Sequence, residues 1–335
     1  MKLGVYLDLR NPGARVPWPL LYKQALELCE QIEEWGAASV WLSEHHAFDD
    51  GYLPQPLTFA AAVAARTSRI RIGTAVFLAA LRSPAQLLEE ATVVDLLSDG
   101  RLDLGLGAGY RQAEFHLYGL TPPAKPLERL FEIHAEIERL RAEGLVTPLP
   151  VQQPLPVWLG CNGPRGANRV GQVGAPLLSV RRSIFDAYRE GLIAGGHDPA
   201  RAKVSGPVNV FLADDPERVR EQVARAYDYI WNSYAAHADG AGEVSAGTHS
   251  ERAIELGLEG GLRGLLIATP ERAAQELMRY FDGVPVDTVF AWGRLPGVDD
   301  VAMHRHLELW CRELPGLMSP RASTTVVEPE QAGRQ

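Results

Sequence analysis

Two adjacent histidines are the first residues in the chain whose type and position could carry chemistry. They end the run Ser43 to His46, which follows a short apolar stretch typical of a buried strand. Successive residues of a strand point to opposite faces, so at most one of the two imidazoles can point squarely into an active-site interior. A metal site would need a third ligand in suitable geometry, and the sequence offers no His-rich or Cys-rich partner motif. From the residues alone, a structural role is favoured first, a catalytic imidazole second and a metal ligand last.

Two glycine-rich stretches could approach a flat or anionic ligand closely. In Gly105 to Gly109 the spacing is not that of a dinucleotide-binding loop, so its glycines more simply permit close approach to neighbouring strands or to a flat ligand. The run Gly160 to Gly166 precedes a predicted helix and contains Arg165, so its backbone N–H groups, the helix N-terminus and the guanidinium together would suit a phosphate. An ordinary strand-to-helix loop explains this pattern equally well. Nothing in the sequence marks Cys161 as a nucleophile.

Short apolar runs that alternate with longer amphipathic stretches must position these residues. The alternation predicts an α/β protein with a single (β/α)8 TIM barrel rather than a doubly wound sheet, and in such barrels the active site lies at the C-terminal ends of the strands. The eight predicted strands are Leu3 to Leu9, Ser39 to Glu44, Ile70 to Leu78, Arg101 to Leu106, Val157 to Gly160, Pro176 to Val180, Val204 to Leu212 and Val286 to Trp292.

The barrel is predicted to cover residues 1–317, with two segments outside the alternating pattern. Residues 235–264 are rich in Gly, Ala and Ser and precede an extra predicted helix, Pro270 to Phe281. An insertion of this length within a compact domain is more often a lid than a structureless loop. The tail, residues 318–335, is polar and aperiodic, so we predict that it is disordered.

The composition excludes several classes of protein. The 335 residues include 33 Lys and Arg against 42 Asp and Glu, a net charge of −9 that argues against a nucleic-acid-binding surface. Arg, Glu or Pro interrupts every long apolar run, so no membrane-spanning segment is expected. Cys29, Cys161 and Cys311 are few and far apart, which is typical of a reducing compartment. We therefore expect a cytoplasmic enzyme that binds neither nucleic acid nor membranes.

Four stretches of the chain, taken together and in order, resemble the bacterial luciferase-like flavin-dependent monooxygenases over residues 1–315. Each stretch alone would be a weak signal, whereas the ordered set is specific. The matching stretches are Ser39 to His46, Gly73 to Ala75 with Arg82 to Pro84, Asp95 to Gly107, and Glu114 and Phe115 with Gly119.

The resemblance implies a flavin-dependent monooxygenase. In this family oxygen adds to reduced FMN, and the resulting flavin peroxide oxidises a small organic substrate, whose identity neither the residues nor the resemblance supplies. His45 matches the position whose imidazole acts beside the reactive edge of the flavin. Ala75 and Val76 match the site under the isoalloxazine ring, where the family often has a non-prolyl cis peptide bond. The resemblance implies no metal.

The phosphate site departs from the family pattern. The family has an arginine in the loop after the fourth strand, where this chain has Ala108, and its acidic residue after the fifth strand is Cys161 here. We predict that Arg165, with the backbone groups of Asn162 and Gly163, replaces the missing arginine. The predicted flavin-binding residues are Ala75, Val76, Gly107, Ala108, Cys161, Asn162, Gly163 and Arg165.

Two other functions are compatible with the resemblance. Some relatives use a 5-deazaflavin coenzyme for hydride transfer, and others are non-catalytic flavin-binding subunits, although the intact His45 argues against the latter. Since no dinucleotide-binding domain is predicted, reduced flavin is expected from a separate flavin reductase, with direct binding of NAD(P)H as the alternative. We also expect a homodimer formed by the helices beside the second and third strands. Candidates for aromatic cavity walls are Tyr6, Phe77, Tyr110, Trp231 and Trp292, although a place in the plain core is favoured for each of them.

Overall fold

Parallel strands pair side by side into a closed ring. The computed structural model describes residues 1–240 and 247–318. Around the ring, the strand that begins at Lys2 pairs with the last strand on one side and with the second strand on the other. The third and fifth strands also pair directly, through Ile72 and Leu102, which closes the ring. The strands are β1 (Lys2–Leu7), β2 (Ser39–Leu42), β3 (Arg71–Thr74), β4 (Phe77–Leu78), β5 (Leu102–Gly107), β6 (Val157–Leu159), β7 (Leu177–Leu178), β8 (Val204–Pro207), β9 (Val210–Leu212), β10 (Leu266–Ala268) and β11 (Val286–Trp292).

The predicted (β/α)8 TIM barrel is therefore confirmed. The eight barrel strands are β1, β2, β3 together with β4, which count as one, β5, β6, β7, β8 and β11. All of their pairings are parallel. Strands β9 and β10 form a separate two-stranded parallel sheet. No helix in the described ranges is both long enough and apolar enough to cross a membrane.

Helices follow the strands, and most of them begin with proline in the first turn. Proline suits this position because its φ is already helical and its missing N–H would have no partner inside the helix. The helices are α1 (Trp18–Glu34), α2 (Pro56–Arg66), α3 (Pro84–Leu97), α4 (Gln112–Leu117), α5 (Pro126–Ala142), α6 (Pro164–Gln172), α7 (Phe185–Ala194), α8 (Pro216–Ala236), α9 (Ser250–Leu256), α10 (Pro270–Tyr280), α11 (Asp300–Glu308) and α12 (Leu314–Met318), with a π-helical turn, Leu309–Glu313, between the last two.

Aromatic rings fill the interior of the barrel. The ring of Trp41 stacks on Phe290 with centroids 4.8 Å apart and meets Trp158 edge-on at 6.2 Å. Glycine at position 73 makes this possible, because a Cβ there would lie 2.3 Å from the Trp41 ring. Ala75 and Val76 pack against the same cluster. The interior is therefore a packed core, and a ligand is expected at the C-terminal ends of the strands.

Two predicted strands are each divided in the structure. The predicted strand Ile70 to Leu78 forms β3 and β4, with a cis peptide bond between Ala75 and Val76 in the gap. The predicted strand Val204 to Leu212 forms β8, which stays in the barrel, and β9, which pairs with β10 outside it. A single strand was predicted there because period-two alternation runs through both pieces, but Pro207 has no N–H with which to continue the ladder.

The described residues of the segment 235–264, which are 235–240 and 247–264, contain more regular structure than its composition suggests. It contains the end of α8, all of α9 and the 3₁₀ turn Gly257–Arg263. The sequence analysis missed α9 and β10, because both are too short to produce a periodic signal. Residues 241–246 and 319–335 lie outside the described part of the chain. The predicted disorder of the tail therefore falls almost entirely on residues that the structure does not describe.

Candidate active site

A cavity of about 920 Å³ opens at the C-terminal ends of the barrel strands. One side, here called the barrel wall, consists of the strand-end residues Tyr6, Ser43, Glu44, His45, Tyr52, Ala75, Val76, Gly107 and Ala108. A second part of the lining, here called the α8 wall, consists of Tyr227, Ile230, Trp231 and Tyr234 from α8 with Leu258 and Arg263 from the turn before β10. The helix residues recur at i, i+3, i+4 and i+7, which places them on one face of α8.

On the barrel wall, a buried carboxylate orients the first histidine. Nδ1 of His45 lies 2.7 Å from Oε1 of Glu114, which also accepts the backbone N–H of His46 at 3.0 Å. Because an ionised carboxylate can only accept, Nδ1 carries a proton and donates it to Glu114. Nε2 makes no hydrogen bond within residues 1–240 and 247–318, and His45 lines the cavity. The imidazole is thus oriented by Glu114, and its Nε2 is available to a ligand.

The same contacts keep Glu114 ionised although it is buried. Burial favours the neutral form, but hydrogen bonds from the His45 ring and the His46 amide, with the nearby Arg111 guanidinium, hold the pKa of Glu114 below its usual value. Nη1 of Arg111 lies 3.4 Å from Oε1 of Glu114. Oε2 of Glu114 is buried and has no hydrogen-bond partner among residues 1–240 and 247–318.

The second histidine has a structural environment. Nε2 of His46 bonds Oε1 of Glu44 at 2.8 Å, and Arg82 donates to the same oxygen at 2.7 Å. The backbone N–H of Leu78 donates to the other carboxylate oxygen at 2.7 Å. His46 is buried and does not line the cavity. This agrees with the expectation that at most one of the two imidazoles faces the interior.

A cluster of hydroxyl groups lies beside His45. The hydroxyl of Tyr52 is 2.6 Å from Oγ of Ser43, 2.9 Å from the hydroxyl of Tyr6 and 3.1 Å from that of Tyr234. Burial raises the pKa of both Tyr6 and Tyr52 well above the usual value. These hydroxyls therefore stay protonated near neutral pH and can donate as well as accept.

A buried arginine supports this cluster from behind. The guanidinium carbon of Arg10 lies 4.6 Å from the ring centroid of Tyr52 and 4.4 Å from that of Tyr234. Its nitrogens pair with Asp8 at 3.0 Å and Asp50 at 3.5 Å, and the side chains of all three are 2% exposed or less. Arg10 therefore contacts both Tyr52 of the barrel wall and Tyr234 of α8.

Two glycines make room for Val76 beneath the cavity. A Cβ at Gly107 would lie 2.3 Å from one methyl of Val76, and a Cβ at Gly160 would lie 2.7 Å from the other. The glycines in these loops thus permit close approach between neighbouring strand ends, one of the two roles expected for them. They leave Ala75 and Val76 as a smooth apolar surface at the base of the cavity.

The residues predicted to bind the flavin are brought together only in part. Ala75, Val76, Gly107, Ala108, Cys161 and Asn162 line the cavity. Gly163 is the N-cap of α6, and the exposed Arg165 in its first turn does not line the cavity. Burial raises the pKa of the Cys161 thiol to about 11, so this thiol is protonated near neutral pH.

Arg181 lines the cavity at the place where a phosphate-binding side chain was expected. It follows β7, and its Nη1 donates to the backbone oxygen of Asn162 at 2.7 Å. No carboxylate within the described ranges pairs with it. The strand-end rule pointed to this position, because the predicted strand Pro176 to Val180 ends immediately before it, but sequence analysis did not select it.

The structure places four of the five candidate aromatic residues at the cavity. Tyr6, Tyr110, Trp231 and Trp292 line it. Phe77 is a core residue, the alternative favoured from the sequence, since its ring is fully buried and packs under the guanidinium of Arg82 at 4.2 Å. Sequence analysis also missed Glu114 as a partner of His45. Its only signal was the Glu114–Phe115 pair within the family-like stretches.

Comparison with known proteins agrees with the resemblance seen in the sequence. A model of the luciferase-like monooxygenase family matches residues 1–286. The oxygenase component of a flavin-dependent trigonelline monooxygenase from Acinetobacter baylyi is 24% identical over 74% of this chain and 74% of its own length. An F420-dependent glucose-6-phosphate dehydrogenase from Amycolatopsis mediterranei is 25% identical over 78% of this chain and 85% of its own length.

A solved structure supports the same fold. The oxygenating constituent of 3,6-diketocamphane monooxygenase from Pseudomonas putida, in complex with FMN, superposes with a TM-score of 0.75. It is 18% identical and covers 96% of this chain and 99% of its own. The family match, the barrel and the cavity above Ala75 and Val76 all lead to one conclusion: the chain belongs to the luciferase-like monooxygenase family of flavin-dependent enzymes.

Proposed function

We propose that this enzyme is a monooxygenase that uses reduced FMN and O2 to oxidise a small organic substrate in the cavity between the barrel wall and the α8 wall. When bound, reduced FMN supplies two electrons, so that one oxygen atom enters the substrate and the other leaves as water. The observation that carries the proposal is the orientation of His45, whose Nδ1 is held by Glu114 and whose Nε2 has no protein partner among the described residues.

The cavity offers matching groups for the two ends of FMN. Ala75 and Val76 form an apolar surface on which a flat ring can lie, and Gly107 and Gly160 keep that surface free of further side chains. For the phosphate, the backbone N–H groups at the start of α6 and the guanidinium of Arg181 supply a positive environment. We propose that Arg181, next to Asn162, compensates for Ala108.

A binding measurement distinguishes Arg181 from Arg165, the residue predicted from the sequence, as the side chain that binds the phosphate. The equilibrium dissociation constant of FMN is compared for wild type, Arg181→Gln and Arg165→Gln. A charge-assisted contact to phosphate contributes about 1.5–3 kcal/mol, so losing it weakens binding by roughly ten- to a hundredfold. We expect this loss for Arg181→Gln. Loss of FMN affinity in Arg165→Gln alone would instead support the sequence prediction and contradict the assignment of Arg181.

In the proposed mechanism, His45 is the catalytic residue. Nε2 takes up and returns the proton that accompanies reduction of oxygen, while Glu114 stabilises the charged imidazolium by accepting from Nδ1. Glu114 is a positioning residue, because it acts through the His45 ring. The hydroxyls of Tyr52 and Tyr234 orient polar groups of the substrate from the side.

The α8 wall and residues 235–264 keep water away from the reacting centre in this proposal. Ile230, Trp231 and Leu258 place apolar surface opposite His45. Excluding water prevents the reduced flavin from giving its electrons to oxygen without product formation. We therefore retain the lid function predicted for this segment.

We further propose that a separate flavin reductase supplies reduced FMN. The related trigonelline enzyme is named as an oxygenase component, which favours a two-component system. Chemically reduced FMN should then support turnover without NAD(P)H. Turnover that requires NAD(P)H in the absence of any reductase would favour the alternative, direct binding of the nicotinamide.

Hydride transfer with a deazaflavin is the second candidate, because F420-dependent dehydrogenases are among the relatives. The two functions are distinguished by equilibrium binding of FMN and F420 and by the reaction with oxygen. After rapid anaerobic loading with reduced FMN and mixing with O2, a monooxygenase should delay the release of hydrogen peroxide relative to free FMN. Tight binding of F420 with no such delay would overturn the proposal. Unchanged turnover in a His45→Ala variant would remove the main argument for catalysis by His45.

We also propose that the enzyme is a homodimer, as expected from the sequence. On α3, Val93 and Leu97 are 50% and 54% exposed, which leaves an apolar surface that a second copy would cover. Light scattering should report twice the mass of the chain, and Leu97→Glu should shift it toward the monomer. The predicted cytoplasmic location stays a prediction.

A further inference from the structure

Arg263 is a cation on the α8 wall that has no partner to neutralise it. Its guanidinium carbon lies 3.7 Å from the ring centroid of Trp231, and no carboxylate in the described part of the chain pairs with it. Asp228 of α8 is engaged elsewhere, since it accepts from the backbone N–H groups of His249 and Ser250 and from the Ser250 hydroxyl. Stacking on Trp231 covers one face of the guanidinium and leaves its N–H edge available.

The backbone of Arg263 is fixed in place. The side-chain amide of Asn209 donates to the carbonyl oxygens of Leu262 at 2.9 Å and Gly264 at 3.0 Å, one on each side of Arg263. Oδ1 of Asn209 accepts from the indole of Trp292 at 3.0 Å. This anchoring ties the arginine to the barrel, so the guanidinium is held at the cavity rather than ranging over the surface.

The charges around the cavity favour an anion. Glu44 is the only carboxylate that lines it among the described residues, and its oxygens are occupied by Arg82, His46 and the N–H of Leu78. Arg181 and Arg263 are both without carboxylate partners. Two cations that line one cavity without a carboxylate partner therefore favour two anionic groups on the bound ligands. The flavin phosphate accounts for one of them.

We propose that the substrate is a small organic acid whose carboxylate pairs with Arg263. The inference rests on the proposed monooxygenase function, because it treats the ligand of this site as the substrate. A planar guanidinium edge matches a carboxylate with two parallel hydrogen bonds, and Tyr227 and Ile230 add aromatic and apolar surface beside it.

A row of rings on the α8 wall leads from this cation to the proposed catalytic residue. The rings of Trp231 and Tyr234 have centroids 5.8 Å apart, and those of Tyr234 and His45 5.7 Å apart. Because Arg263 stacks on Trp231, the row runs from Arg263 through Trp231 and Tyr234 to His45. The carboxylate anchors one end of the substrate, and oxidation takes place on a carbon remote from it.

The test compares two probes of nearly equal shape, 3-phenylpropanoate and 3-phenylpropanamide, by quenching of tryptophan fluorescence in protein loaded with oxidised FMN. Wild type should bind the carboxylate at least about tenfold more tightly than the amide, since each tenfold corresponds to about 1.4 kcal/mol. Arg263→Gln should bring the two affinities together, and Arg263→Lys should keep part of the preference. Arg272→Gln, an exposed arginine away from the cavity, is the matched control and should keep all of it.

The outcomes separate this inference from the proposed function. The FMN affinity of Arg263→Gln is measured in parallel and should equal that of wild type. The inference is overturned if wild type shows no preference for the carboxylate, or if the preference survives in Arg263→Gln. In either case, normal binding of FMN would leave the monooxygenase proposal intact. Weakened FMN binding in Arg263→Gln would assign the arginine to the flavin phosphate and overturn it as well. If wild type fails to bind FMN, the titration without flavin still measures the preference, and only the proposed function fails.

Discussion

On the barrel wall, His45 is hydrogen-bonded to Glu114 and Glu44 is paired with Arg82, whereas Arg263 on the α8 wall has no carboxylate partner in the residues that the structure describes. The first arrangement fixes side-chain geometry and tautomer inside the protein. The second leaves a charge to be satisfied by a ligand. The difference is the basis of our proposal that the barrel wall carries the catalytic groups and that the α8 wall selects the substrate. It also predicts that substitutions on the two walls affect stability very differently.

The largest loss of stability is expected for Arg10→Leu. This change leaves Asp8 and Asp50 buried without their cation and removes the support behind Tyr52 and Tyr234. Removing one partner of a buried ion pair costs about 3–5 kcal/mol, which urea unfolding would measure. Arg66→Ala, at the exposed pair with Glu30, is the control and should change the unfolding midpoint little. Equal effects of the two would contradict the structural role of Arg10.

Gly107→Ala should destabilise the barrel wall to a smaller extent. The added methyl group would lie 2.3 Å from Val76, so the strand ends must separate at a cost of about 1–3 kcal/mol. The same substitution at Gly163 meets nothing within 4 Å and serves as the control for thermal unfolding. If the two variants unfold at the same temperature, Val76 can move aside and the packing argument is wrong.

Glu114→Gln should cost about 1–3 kcal/mol at neutral pH and progressively less as the pH falls. The folded-state pKa of Glu114 is depressed, so its stabilisation is fully present above the pKa of an unfolded glutamate and is lost as the pH falls through the folded-state value. The difference in free energy of unfolding between wild type and variant is measured from pH 7 downward. A difference that grows toward acid would mean that the carboxyl is protonated in the folded protein.

The smallest effect is expected for Arg263→Gln. Because Arg263 has no ion pair to lose, its replacement should change the free energy of unfolding by less than about 0.5 kcal/mol. The measurement is chemical unfolding without ligand, beside the binding experiment above. A loss as large as that of the barrel-wall variants would show that the stacking on Trp231 is structural, and the comparison between the walls would fail.

The sequence predicted the barrel and the floor of the cavity, because both depend on patterns that are local in the chain. Alternating apolar runs indicated the strands, and the family-like stretches marked His45 and the Ala75–Val76 bond. The partner of His45 was missed, since Glu114 is 69 residues away and only the closed ring brings the two together. The sequence also places Arg165 in the first turn of α6 without showing that its side chain is directed away from the cavity. That Arg181 and Arg263 line the cavity depends on how the loops around them fold, which the sequence pattern does not predict.

The reaction of oxygen with reduced FMN on wild type and His45→Ala tests the central claim most directly. Each protein is loaded anaerobically with reduced FMN and mixed with O2 in a stopped-flow instrument, while flavin absorbance and release of hydrogen peroxide are followed. Wild type should show a transient absorbance distinct from both reduced and oxidised FMN and a delayed release of hydrogen peroxide. In His45→Ala, with FMN affinity unchanged, the transient should decay at least about tenfold faster, within the range expected when a positioned acid–base group is removed. Identical traces for the two proteins, or no transient in wild type, would contradict the account.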